Sequence, residues 1–169
     1  KEALGATSPH AAALWPMVAV GEKKYYFSAM FAALTAYTDA NNADVPYESP
    51  SNKDLRITAT VLKDGTTVAL DQQQANDVLN ANGVITAINA NGFKSWGNNT
   101  AAYPSTTDPK DRWLAVRRFF DWDGNNFILT YFQKVDKPGN KRLIQSIVDS
   151  QNIIGNGYVA RDYCAGYRT

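Results

Sequence analysis

Cysteine occurs once, at Cys164, and histidine once, at His10. A single thiol cannot close an internal disulfide, so the chain fits a reducing compartment or is indifferent to compartment. A single imidazole excludes a multi-histidine zinc or iron site, and it excludes the usual histidine-based nucleophile triads unless a partner supplies the missing groups. No apolar run approaches the ~20 residues of a membrane-spanning helix. Residues 1–5 lack both an initiator Met and the apolar core of ~7 to 15 residues that marks a secretion signal. An excess of one charge sign is also missing, since 17 Lys and Arg stand against 16 Asp and Glu for a net charge of +1 with His neutral. Binding along a nucleic-acid backbone needs a concentrated basic surface, which this balance does not provide. The same balance removes long-range repulsion as a brake on self-association.

What is present suits one folded α+β domain over residues 1–169. Of 169 residues, 44% are hydrophobic, 12% aromatic and 20% charged, enough to bury about two-thirds of the unfolded surface without staples. Residues 1–24 read as a loosely structured leading segment, with a helix-capable run at 11–14 stopped by Pro16 and a short extended piece at 17–20. From Phe27 the chain turns helical: Phe27, Met30, Phe31, Leu34 and Tyr37 recur at three- and four-residue steps, which predicts a helix over 27–41. Residues 43–56 form a connector rich in turn residues. Alternation over 55–62 predicts a half-buried strand, ended by a turn at Asp64-Gly65 with a short return strand at 67–70. Asp71 suits the N-cap of a helix over 72–80, with Asn82-Gly83 as its exit.

Val84 to Ile88 is the most β-favouring stretch, and residues 92–97 are read as its partner or close successor. Trp113 to Arg117 reads as extended. Two further helices follow, over 119–135 with a weak point at Gly124, and over 141–154 with Gly155 and Gly157 as its end. The architecture expected is three main helices packed on a small mixed β-sheet holding both 55–61 and 84–88, with Trp122, Phe127 and Ile147 as core anchors.

Few constellations carry chemistry. Asp121 and Asp123 flank Trp122, but residues two apart on a helix point about 200° from each other, which suits solvent-facing charges better than a convergent acid/base pair. Residues 121–126 lack the glutamate that closes a calcium loop, and Gly155-Asn156-Gly157 lacks the third glycine and following Lys of a phosphate loop. No catalytic, cofactor or metal residue is therefore assigned. Cys164 reads as a small packing residue and His10 as an ordinary exposed one. The densest positive feature is Arg117-Arg118 with Arg112 upstream, beside Trp113, Phe119 and Phe120. Such a cluster could stack nucleic acid, yet planar guanidinium groups among aromatics suit contacts between proteins better. Arg112, Arg117 and Arg118 are accordingly the candidates for assembly contacts, with little weight expected on folding.

A series of short segments runs in a recognisable order over residues 15–167. They are Glu48-Ser49-Pro50-Ser51-Asn52-Lys53, Leu79-Asn80-Ala81-Asn82-Gly83-Val84, Trp96-Gly97-Asn98-Asn99-Thr100, Asp108-Pro109, Val116-Arg117-Arg118, Gln133-Lys134-Val135 and Ile147-Val148-Asp149-Ser150. Each is weak alone. In this order they resemble the carboxy-terminal half of contractile-tail sheath proteins of bacteriophages, prophages and R-type bacteriocins. The resemblance implies an α+β core domain of a longer structural subunit, without enzymatic activity or cofactor. It implies as partners neighbouring sheath subunits in hexameric rings, the tail tube protein and the baseplate, with no direct contact to nucleic acid or membrane. It places the protein in the tail of a virion assembled in the host cytoplasm. Members usually carry more chain on both sides, so the resemblance also implies a fragment without terminal arms, monomeric by itself. Two other readings stand beside it: a nucleic-acid-binding module using Arg112, Arg117 and Arg118, and a hydrolase using Asp121 or Asp123.

Overall fold

In the computed structural model, which describes residues 1–169 except for the side chain of Glu2, the chain forms two units, residues 1–119 and residues 120–169. The first unit begins with helix α1 (Glu2–Thr7), strands β1 (Ala13–Leu14), β2 (Met17–Val20) and β3 (Lys23–Tyr25), and helix α2 (Phe27–Asn41). Strand β4 (Ala59–Val61) and helix α3 (Gln72–Gln74) follow. Helix α3 continues into a π-type turn (Ala75–Leu79) and a 3-10 turn (Asn80–Asn82). Then come β5 (Val84–Asn89), β6 (Phe93–Trp96), α4 (Pro109–Arg112) and the first residues of α5 (Leu114–Tyr131).

Two three-stranded sheets result. The first is mixed, in the order β1-β5-β6: Leu14 pairs with Ile85 in parallel, while Ala87 pairs with Ser95 in antiparallel register. The second is antiparallel, in the order β3-β2-β4, with Val18 between Tyr25 and Thr60. Helix α2 brings Phe27 and Phe31 into one apolar cluster with Val18, Leu55, Ile57, Ile85, Ala87 and Leu114, so the core draws on both sheets. Complete burial of such side chains contributes roughly 1.5 to 3 kcal/mol each.

The α+β class and the helix over 27–41 are as the spacing predicts, and so is the pairing of 84–88 with the strand behind it. The single sheet is not. The alternating run from Leu55 is divided between sheets: the Leu55 amide donates to the Phe93 carbonyl of β6, whereas residues 59–61 pair with β2. Alternation reveals the buried face of a run and says nothing about a crossing between sheets part-way along it. Residues 11–14 also differ, because Ala13 and Leu14 pair with β5 and are strand rather than helix, and residues 2–7 of the leading segment are helical.

The extended reading of 113–117 is corrected too. Helix α5 already starts at Leu114, whose amide donates to the Asn98 carbonyl, while the Asn98 side chain accepts from the Ala115 amide. A loop residue distant in sequence thus takes the place of a local cap. Gly124 does not interrupt α5.

In the second unit, α5 ends in a 3-10 turn (Phe132–Lys134), and α6 (Lys141–Ala160) returns after Pro138 and Gly139. Asn140 caps α6 by accepting the Leu143 amide at 2.9 Å. The rings of Trp122 and Tyr158 meet at 5.4 Å, and the Tyr131 hydroxyl donates to the Ile147 carbonyl at 3.4 Å. Helix α6 passes through Gly155 and Gly157 and stops six residues later than their presence predicts. Of the expected anchors, Trp122 and Ile147 are half-buried, while Phe127 is 37% exposed and rests on Tyr131. Phe127 is therefore no core anchor within this chain.

Candidate functional site

The three arginines singled out from the sequence lie in the first unit, and each has a partner within the chain. Helix α4 begins at Asp108, whose carboxylate accepts the Lys110 amide with Pro109 in the first turn. This sets Arg112 at its end, where the guanidinium lies 4.2 Å from the ring centres of both Tyr103 and Trp113 and donates to Asn99 Oδ1 at 3.1 Å. Arg117, one turn into α5, reaches Asp111 Oδ1 at 3.4 Å, and the His10 imidazole lies 3.5 Å from the same atom. Arg118 makes a two-pronged contact with Asp39 on α2, one prong at 3.2 Å to Oδ1 and the other to Oδ2. The cluster braces α2, α4 and α5 against one another.

A groove of about 650 Å³ runs beside α2. Met30, Leu34 and Tyr37 form its apolar wall, and the connector supplies Glu48, Lys53 and Asp54. Arg56 lines it as well, and two ion pairs lie along it: Lys53 with Glu48, and Lys94 with Asp54 at 2.6 Å. Hydrogen bonds from Asn42 and Lys53 hold the Glu48 carboxyl below its ordinary range.

The carboxylates Asp121 and Asp123 diverge in position and role. Asp121 is exposed, whereas Asp123 accepts the Tyr167 hydroxyl at 2.8 Å and the Gln151 amide at 3.4 Å. Gln151 is 3% exposed and also donates to the Tyr167 oxygen at 2.7 Å. Burial pushes the Tyr158 hydroxyl up to about 12, assisted by the Asp123 charge, and burial raises Tyr167 as well. This is a structural polar network tying α5, α6 and the last residues together. Nothing in the helical spacing announces it, because Gln151 and Tyr167 are both needed to complete it and Tyr167 sits in an irregular segment. Among the described residues, no group of three or more His, Cys, Asp or Glu side chains could hold a metal ion.

A further surface feature is apolar. Ile128, Leu129, Phe132 and Val135 near the end of α5, with Ile144 and Ile153 on α6, are all more than half exposed, Leu129 at 76%. Residues 134–142 add Lys134, Lys137, Lys141 and Arg142 beside them. An isolated exposed Leu requires no explanation, but several large apolar side chains within one turn of helix mark a contact surface.

No family model matches the sequence. The chain is 32% identical over 124 residues to a tail sheath protein of Burkholderia phage BcepMu; the match takes in 71% of this chain and 25% of that protein, so the chain spans about a quarter of the length of the curated relative it matches. Among solved structures, it superposes on the PVC sheath complex of an extracellular contractile injection system in the contracted state with TM-score 0.77 at 15% identity, over 96% of this chain and 44% of that one. It also superposes on the anti-feeding prophage helical sheath in the contracted state with TM-score 0.69 at 20% identity, over 92% of this chain and 41% of that one. A chain of the anti-feeding prophage baseplate gives TM-score 0.72 at 19% identity, over 89% and 39%. At these identities the structural likeness establishes the fold, and the phage match connects that fold to a sequence. The sequence is thus similar to part of a phage tail sheath protein, and the fold is the one seen in contractile sheath structures.

Proposed function

We propose that this chain serves as a structural part of a contractile tail sheath, surrounding a tail tube and shortening to drive it through a bacterial envelope. The observation that carries the reading is the match to the phage tail sheath protein over 124 residues, in a chain with the fold of contracted-state sheaths. Its partners are then neighbouring sheath subunits in hexameric rings, the tube protein and the baseplate, and its place is the tail, after assembly in the host cytoplasm. The role is mechanical and not enzymatic. The arginine cluster favours this over a nucleic-acid module, since Arg112, Arg117 and Arg118 engage Asn99, Asp111 and Asp39 within the chain. Asp123 likewise sits in a network with Gln151 and Tyr167, which favours a structural carboxylate over a hydrolytic one.

Within that role, the surface covered in assembly is the apolar end of α5 with its 3-10 turn, centred on Leu129 and Phe132. The test is the double substitution Leu129→Ser with Phe132→Ser in the full-length sheath protein. Circular dichroism should stay at the wild-type level, because neither side chain is buried, while negative-stain images lose their sheath tubes. Normal tubes from the double variant would remove this surface from the assembly.

A further inference from the structure

Helix α6 ends in a specific device. The Asp162 amide donates to the Val159 carbonyl and the Tyr163 amide to the Tyr158 carbonyl, both at 3.0 Å, with Asp162 in the left-handed region at φ 60°. This is the double hydrogen-bond pattern of a Schellman stop, with the Tyr158 and Tyr163 rings in the accompanying contact at 6.3 Å. It reverses the chain so that residues 163–169 run back along α6.

Their return depends on a missing side chain. A Cβ at Gly155 would lie 1.9 Å from Cδ1 of Tyr167, so the tyrosine ring occupies space that only glycine leaves free. Gly155 thus serves close approach, within a helix it does not terminate. The seated ring meets Tyr158 edge-on at 5.8 Å, and its hydroxyl bridges Asp123 and Gln151. Beyond it, the Thr169 amide donates to Asn152 Oδ1 at 3.1 Å. Ala165, Gly166 and Arg168 around the ring are exposed. Half-buried Tyr163, Cys164 and Tyr167 thus alternate with exposed residues along the segment, and of these Tyr167 carries the hydrogen bonds to Asp123 and Gln151.

We propose that residues 163–169 form a strap that opens and closes over the pair of helices α5 and α6 as a unit of its own, with Tyr167 as the latch and Gly155 as its seat. In the closed position the strap covers Gln151 and Tyr158 and supplies the hydroxyl that pairs with Asp123. When it opens, both helices remain, and their polar pair faces water. The inference concerns the second unit alone and stands apart from the assembly role proposed above.

Limited trypsin digestion of the intact protein tests it, read as the rate of cleavage after Arg161, with amide exchange within α6 followed in parallel. A protease samples the open fraction when closing is fast. Loss of the hydroxyl in Tyr167→Phe, which removes hydrogen bonds to a charged network, should raise that cleavage about 10- to 100-fold. Gly155→Val should raise it further, to the rate of an unstructured peptide, because the latch has no seat. Exchange around Ile147 should stay at wild-type values in both. Equal cleavage in wild type and both variants would overturn the latch. Acceleration of α6 exchange in step with cleavage would also overturn the proposal, because the segment would then open only with the helices.

Discussion

Asp39 shows what a single residue settles that composition cannot. Arg118 stands out in the sequence as half of an Arg-Arg pair, but its partner lies 79 positions away on another helix. A planar guanidinium facing one carboxylate with both prongs is more demanding than a point charge, and both side chains are mostly shielded, at 27% and 18% exposure. Arg118→Ala should therefore lower stability by about 1 to 2 kcal/mol, with Arg118→Lys recovering less than half, as measured by urea denaturation. Tyr158 carries the alkaline prediction. Its hydroxyl ionises near 10 when unfolded and near 12 when folded. The folded state thus favours the protonated form, so the contribution is intact below pH 10 and disappears as pH rises from about 10 toward 12. Tyr158→Phe should flatten the fall in stability over that window in denaturation curves, and Asp123→Asn should narrow it by removing the nearby negative charge. The chemistry of these residues was readable one at a time. Their pairings, set by folds of the chain across tens of residues, were not.

At the scale of elements, strong periodicity was legible and punctuation only in part: Asp71 caps the helix it was expected to cap and Gly83 closes the turn after it, while Gly155 stops nothing. The helix over Phe27–Asn41 and the hairpin of Val84–Asn89 with Phe93–Trp96 follow from spacing and β-propensity, with Phe27 and Phe31 buried on the helix and residues 85–88 buried in the strand. Gly155 misled because glycine has two uses, as a helix stop and as room for a neighbour, and the second requires knowing where Tyr167 goes. The true stop at Asp162 uses a residue that enters the left-handed region with strain. Asp162→Gly should then stabilise the protein by roughly 0.5 to 1 kcal/mol, seen as a rise in Tm. Unchanged or lowered Tm would mean that the aspartate side chain contributes more than the backbone strain costs. The Asn98 cap of α5 was hidden for the same reason as the Arg118 pair: its donor and acceptor belong to different segments.

For the whole molecule, the sequence indicated an α+β chain with little net charge, and the order of its short segments resembled that of contractile-tail sheath proteins. It could not indicate which apolar residues remain outside, because Phe127, Ile128, Leu129 and Phe132 look like core when read on a helix. Their exposure distinguishes two ways of associating. If apolar contacts dominate over the arginines, association should persist in about 0.5 M sodium chloride, where charges more than ~5 Å apart are screened, and should strengthen in sulfate. Sedimentation in the two salts decides, and dissolution of the complexes by chloride would point to charged contacts instead.

The two-residue strand β1 has a consequence in time. Ala13 and Leu14 pair with Val84 and Ile85, roughly 70 residues downstream. At a synthesis rate of about 5 to 20 residues per second, the ribosome delivers that partner some 4 to 14 s after β1 has been made. The pairing of β2 with β3 needs only its immediate neighbours and is available almost at once. Sheet by sheet, the chain is therefore built in a fixed order during translation, and the mixed sheet is the late arrival.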